Sequence, residues 1–144
     1  MNDRQKRAFM DVAERFAELS YARKLKVGAI AVKDGRIISI GYNGTPEGWS
    51  NECEDVVGYD EDLNPVLKTK PEVLHAELNC IAKLARSNES GNGASLFVTH
   101  GPCMECAKVI KQSGVSEVIY RHEYRSMAGV DFLRLNNIVV TKMD

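Results

Sequence analysis

Two short motifs that stand far apart in this chain have to meet at one point. The first is His75-Ala76-Glu77 and the second is Pro102-Cys103-Met104-Glu105-Cys106. Together they offer one imidazole, two thiols and one carboxylate. Structural zinc sites close their shell with four protein ligands, whereas catalytic sites hold three and keep a position open for water. His75, Cys103 and Cys106 make three, and Glu77 stays free to move protons. The chain pattern places His75 and Glu77 in the first turns of one helix and Cys103 and Cys106 in the first turn of the next, both at one end of the sheet. Cys103 and Cys106, three apart on a helical turn, then project to one side. The positive end of a helix also favours thiolates.

The apolar periodicity predicts such a fold. Residues 3–20 carry Phe9, Val12, Ala13, Phe16 and Leu19 on one stripe, which predicts a helix with Asp3 as its N-cap. Val27–Lys33 and Arg36–Tyr42 read as strands joined by the hairpin signal Asp34-Gly35. Residues 43–70 have no sustained period and read as one long loop, of the kind that is usually functional or disordered. Glu72–Ser87 shows helical spacing through Leu74, Leu78, Ile81, Leu84 and Ala85, with Pro71 near its first turn. A strand at Ser95–His100 and a helix at Cys103–Gln112, ended by Gly114, come next. Val115–Tyr120 reads as a strand, Gly129–Asn136 as a short helix and Ile138–Lys142 as a last strand. The expected fold is therefore α/β: a three-layer α/β/α arrangement around a five-stranded mixed sheet. It opens with an antiparallel hairpin, continues with parallel pairing and is covered by helices on both faces. Residues 1–144 read as a single domain, long enough for a real apolar core.

Charge and cysteine usage narrow the function. A net charge of −1 argues against a broad nucleic-acid interface, which needs a basic face. No apolar run approaches the span of a bilayer, and the first twenty residues do not read as a secretory segment. The four cysteines point to a reducing, cytoplasmic setting and to metal or catalytic use instead of a disulfide framework. An anionic substrate would need a local cluster of cations. Arg23, Lys24 and Lys26 form one such cluster, and Arg121 and Arg125 another. Arg23 is the first candidate for a phosphate because a guanidinium can meet it bidentately, while Lys24 also suits a helix end. Tyr124 could stack on a base, bond to phosphate or simply pack.

Five segments in order carry a resemblance. Val27-Gly28-Ala29-Ile30, Asp34-Gly35-Arg36-Ile37-Ile38, Gly41-Tyr42-Asn43-Gly44-Thr45-Pro46, His75-Ala76-Glu77-Leu78-Asn79 and Pro102-Cys103-Met104-Glu105-Cys106 resemble the cytidine and deoxycytidylate deaminases. H-x-E…P-C-x-x-C is the pattern of zinc-dependent base deaminases, and Gly41–Pro46 points to the deoxycytidylate (dCMP) branch. The resemblance implies the cytidine-deaminase-like fold and hydrolytic deamination of dCMP to dUMP and ammonia, with zinc-bound hydroxide attacking C4. His75, Cys103 and Cys106 would then hold Zn²⁺ and Glu77 would shuttle protons. The backbone at Ala76 would meet the cytosine edge, and Asn43 the sugar 3′-hydroxyl, although Asn43-Gly44 is also an ordinary turn dipeptide.

The same resemblance implies regulation: activation by dCTP and inhibition by dTTP, with Mg²⁺, at a site apart from the zinc. Gly41, Tyr42 and Gly44 resemble part of that site, Lys26 and Asn51 are further candidates, and Asn43 would couple the two sites. A homohexamer is implied as well. Ala22 stands where several relatives carry a Cys that helps bind a second zinc, so Cys53 lacks a likely partner and a second zinc is not expected. Cys80 reads as a small buried side chain, and His100 and His122 as hydrogen-bonded structural histidines. Two rivals remain. One is a deaminase of free cytidine, guanine or a tRNA adenosine; the other is a silent zinc protein that senses deoxynucleotides, against which the intact Glu77 argues.

Overall fold

The computed structural model describes residues 1–144. It opens with helix α1 (Asp3–Ala17), which buries Met10, Ala13 and Ala17. Its N-cap is Asn2, not Asp3. Asn2 Oδ1 accepts the Gln5 backbone N–H at 2.9 Å while Gln5 Oε1 accepts that of Asn2 at 3.1 Å. Such a reciprocal capping box needs Gln or Glu three residues after the cap, and Gln5 stands there for Asn2. Strands β1 (Gly28–Lys33) and β2 (Arg36–Tyr42) follow as the expected antiparallel hairpin. Asp34 and Gly35 both have positive φ, at 52° and 72°, as a tight two-residue turn requires.

Residues 43–70 are not one loop. They hold strands β3 (Glu54–Tyr59) and β4 (Pro65–Thr69), which pair antiparallel as a separate two-stranded sheet. The hairpin escaped the periodicity because most of its side chains are exposed, so no buried face imposes alternation. Its turn is held by Asp60, whose Oδ1 accepts the backbone N–H groups of Asp62 and Asn64 at 3.0 and 2.9 Å.

Helix α2 spans Ala76–Leu84, shorter than expected from Leu74 and Pro71. Leu74 is extended and bridges to Gly44, so the chain turns into the helix only at His75. Then come β5 (Ser95–His100), α3 (Met104–Gln112), β6 (Glu117–His122), α4 (Ala128–Leu135) and β7 (Val139–Lys142).

The main sheet has five strands in the order β2-β1-β5-β6-β7. Parallel pairing begins at β5 and not directly after the hairpin. β1 pairs antiparallel with both β2 and β5, while β5, β6 and β7 are parallel. β2 and β5 still run in the same direction, as a crossover through α2 demands, but β1 lies between them.

Strand alternation sorts the side chains into two cores. Ile30, Val32, Phe97 and Ile119 face α1 and pack with Met10 and Ala13. Ala29, Ala31, Leu96, Val98, Val118 and Tyr120 share the opposite cluster with residues of α2, α3 and α4. At Gly41 the backbone of α2 packs directly on the sheet: a Cβ there would collide with the Ala76 carbonyl oxygen and the Cys80 nitrogen. Asn79 Nδ2 donates to the Tyr42 carbonyl at 2.8 Å and Ser39 Oγ to the Cys80 carbonyl at 2.6 Å, which fixes the height of α2 on β2.

Candidate active site

His75 and Cys103 occupy equivalent places, each the N-cap of a helix. Neither side chain makes a capping hydrogen bond, so both are free to face each other. His75 Nδ1 lies 3.5 Å from Cys103 Sγ and 3.3 Å from Cys106 Sγ, and the three ligand atoms all fall within 4.8 Å of one another. With metal–ligand bonds of about 2.1–2.3 Å, a tetrahedral zinc separates neighbouring ligand atoms by about 3.6 Å. The donor set and its spacing fit that ion. Two helix N-termini point their unpaired N–H groups at the same place, which favours the anionic sulfurs.

Charge is already polarised there. Hydrogen bonds from Cys106 and His75 hold the Cys103 thiol down at about 3. The hydrogen bond to Cys103, together with burial, pushes Cys106 up. The hydrogen bond with Cys103 raises His75 in turn. Glu77, at the second position of α2, is 4% exposed, and burial pushes its carboxyl up to about 7. A carboxyl so placed can both take and give a proton near neutrality.

A cavity of about 540 Å³ opens over this centre, with His75, Ala76, Glu77 and Cys103 in its lining. Asn43 and Tyr124 line it too, so four separate segments meet around one space. The Asn43 amide is largely engaged: Oδ1 accepts the Val27 N–H at 2.9 Å and Nδ2 donates to the Leu25 carbonyl at 2.8 Å. One amide hydrogen of Asn43 is left for the cavity.

The cations are arranged differently from expectation. Arg23 does not line the cavity. The buried carboxylate of Glu54 accepts the backbone N–H groups of Arg23 and Lys24 at 3.0 and 3.1 Å, and the Arg23 Nε lies 3.9 Å from it. Lys24 and Arg125 line the cavity instead, with the Arg125 guanidinium 5.4 Å from the centre of the Tyr124 ring. Arg121 turns away to Asp11 and Glu14 of α1.

A second cavity of about 500 Å³ is lined by Tyr42, Gly44 and Asn51, and it shares Asn43 and Cys53 with the first. Lys26 lines neither cavity. Gly41 is buried under α2 and lines neither, because its missing side chain is used for helix packing and not for close approach of a ligand. Glu54, Thr69 and His100 line the first cavity although their sequence context did not single them out as ligand contacts. Glu54 was hidden in the segment read as loop. For His100 the signal was present, since it stands just before the Pro102-Cys103 turn.

No helix is long and apolar enough to cross a membrane. The pattern of the cytidine and deoxycytidylate deaminase zinc-binding region matches residues 3–122. Deoxycytidylate deaminase of Enterobacteria phage T4 is 36% identical over 131 residues, covering 69% of this chain and 68% of that protein. The human deoxycytidylate deaminase is 41% identical over 114 residues, covering 78% of this chain and 61% of its own length. The crystal structure of dCMP deaminase from cyanophage S-TIM5, solved with dCMP and dUMP, has a TM-score of 0.89 at 46% identity and covers 99% of both chains. With the zinc-type ligand cluster, the three-layer fold and these matches in agreement, the chain belongs to the cytidine and deoxycytidylate deaminase family.

Proposed function

We propose that this protein hydrolyses dCMP to dUMP and ammonia. The observation that carries the proposal is the convergence of His75, Cys103 and Cys106 beside the buried Glu77 at the floor of a nucleotide-sized cavity. The likeness to relatives named deoxycytidylate deaminase, and to a structure solved with dCMP and dUMP, supports dCMP as substrate. His75, Cys103 and Cys106 would hold the zinc. When bound, Zn²⁺ supplies a Lewis acid that makes water a nucleophile at neutral pH.

The chain's own residues do the rest. Glu77 would take a proton from the water as it adds to C4 and give it to ring N3. It would then take the remaining proton of the new C4 hydroxyl and deliver it to the amine, which departs as ammonia while the C4 carbonyl forms. The backbone at Ala76 orients the cytosine edge, and the remaining amide hydrogen of Asn43 meets the sugar. Tyr124 and Arg125 line one side of the cavity.

Regulation is part of the same proposal. The second cavity would receive dCTP or dTTP with Mg²⁺, and Asn43, common to both cavities, would couple the sites. Such coupling is reciprocal, so dCTP should tighten dCMP binding by the factor by which dCMP tightens dCTP. Exposed apolar side chains on the β3–β4 hairpin, among them Val56, Val57 and Tyr59, fit assembly into a homohexamer.

The direct test follows loss of cytosine absorbance with dCMP and deoxycytidine side by side, with and without dCTP and Mg²⁺. Strong preference for dCMP is expected, with dCTP raising the rate and dTTP lowering it. Equal or better use of the nucleoside would overturn the substrate assignment. Indifference to both triphosphates would overturn the regulatory one.

A further inference from the structure

Thr99 and His100 end β5 at the wall of the first cavity. The Thr99 hydroxyl is fully buried and accepts the backbone N–H of Gly28 at 3.2 Å. Its own proton needs an acceptor, and the one in reach is His100 Nδ1 at 2.8 Å. A buried hydroxyl without an acceptor is costly. Nδ1 therefore stays unprotonated, and the single ring proton of His100 sits on Nε2. Nε2 has no partner in the chain and no buried side-chain nitrogen is unpartnered, so this N–H is open to solvent on a residue that lines the cavity.

The neighbouring strand explains why this imidazole differs from the one beside it. His122 stands in register with His100 on β6, and their ring centres are 4.9 Å apart. The Nε2 of His122 is already taken by Glu14 Oε1 at 3.0 Å. Protonating His100 would make Nδ1 a donor and leave the buried Thr99 hydroxyl proton without an acceptor. Burial and the nearby His122 push its pKa down in the same sense. His100 is thus a directional donor that does not depend on carrying charge. Lys24 and Arg125 bring positive charge to this cavity, whose lining also holds the Glu123 carboxylate and that of Glu54, which is occupied by backbone N–H groups.

We propose that His100 is a specificity-determining residue whose Nε2–H donates to the 5′-phosphate of the nucleotide substrate, beside Lys24 and Arg125. This rests on the reading of the protein as a deaminase of dCMP. A neutral, fixed N–H supplies geometry that two flexible cations lack.

The test compares zinc-loaded wild type, His100→Leu and His100→Gln on dCMP and deoxycytidine. His100→Leu should raise KM for dCMP roughly tenfold or more, with deoxycytidine turnover changed by less than about twofold. His100→Gln, whose amide N–H reaches the place of Nε2, should recover most of the loss. A wild type without preference for dCMP removes the deaminase reading, and the proposal with it. A preference that survives intact in His100→Leu removes His100 alone, as does an equal fall on both substrates. Should His100→Leu fail to fold, wild type labelled with ¹⁵N-histidine decides. A His100 tautomer protonated on Nε2, with a resonance moved by dCMP and not by deoxycytidine, supports the proposal. A tautomer protonated on Nδ1, or no response to dCMP, overturns it.

Discussion

Asn43 Oδ1 accepts the backbone N–H of Val27 at 2.9 Å, which locks the end of β2 to the entrance of β1. The Asn43 carbonyl also accepts from Ser20 Oγ at 2.7 Å, so one residue holds the loop after α1 in place. That loop carries Lys24 and Leu25 into the cavity wall. Asn43 therefore shapes the site from behind while presenting one hydrogen to it.

The two roles of Asn43 can be separated. Asn43→Ala should lower stability by about 1–2 kcal/mol, since two backbone groups lose their partner, and should weaken dCMP use and blunt the response to dCTP. Asn43→Asp keeps the acceptor for Val27 but loses the donor to Leu25. It should retain more stability than Asn43→Ala yet remain poor with dCMP. Chemical denaturation and steady-state kinetics on both variants check this, and normal kinetics in Asn43→Ala would return the residue to a plain turn.

Glu77 is not a ligand in the proposed centre, so its removal should spare the metal. Glu77→Gln preserves shape and burial. It should bind zinc at wild-type stoichiometry and lose about 10²–10⁴ in kcat, the range of a general acid–base group. Zinc analysis and single-turnover rates check both halves. A near-normal rate would remove Glu77 as the proton shuttle.

How far the sequence carried differs from element to element. His75, Cys103 and Cys106 could be singled out because they are metal-ligating residue types in a recognisable pattern, and the structure brings their ligand atoms within 4.8 Å of one another. The five strands of the main sheet were readable from short β-rich runs such as Val27–Lys33, most of which the structure buries on both faces. Val56, Val57 and Val66 belong to a hairpin whose apolar side chains stay exposed, so no pattern marked it. The start of α2 was blurred because Leu74 fits a helical stripe but is bridged to Gly44. Arg23 could not be told from Lys24 as a cavity cation because the carboxylate that pairs with the Arg23 side chain at 3.9 Å, Glu54, is about thirty residues away in the chain. Spacing reveals donors close in sequence, but not which long-range carboxylate captures a side chain.

Gly41 illustrates the same limit and gives a prediction of its own. Its Cβ position is filled by the backbone of α2, so Gly41→Ala must push the helix off β2. Overpacking of this kind costs roughly 1–3 kcal/mol or more. Because α2 carries His75, the variant should also bind zinc more weakly. Asn51→Ala, at the second cavity, should alter the response to dCTP while leaving zinc affinity unchanged. Zinc titration with a competing chelator separates the two. Unchanged stability in Gly41→Ala would contradict the packing role.

Cysteine replacement tests the metal set directly. Cys103→Ala leaves His75 and Cys106 as the remaining donors, too few for a closed or catalytic zinc shell. Zinc content should fall well below stoichiometric and turnover should vanish, while the fold persists because Cys103 is only half-buried. Full zinc occupancy in this variant would remove Cys103 from the ligand set. Cys53→Ala, by contrast, should leave zinc content unchanged.

His100 makes a further prediction about acid. Its pKa is lowered in the folded protein, first by burial and then by His122. In the unfolded chain an imidazole titrates near about 6.5. The unfolded state therefore binds the proton more readily, and folding stability must fall as the pH drops. The contribution is fully present above the unfolded value, and it is lost as the pH falls through the folded value. Glu77, raised by burial, acts in the opposite sense and is common to wild type and variant. The difference between wild type and His100→Gln isolates the imidazole. Denaturant midpoints measured from pH 7.5 down to about 5 should fall more steeply for wild type than for His100→Gln. Parallel curves would mean that Thr99 does not hold His100 in its neutral form.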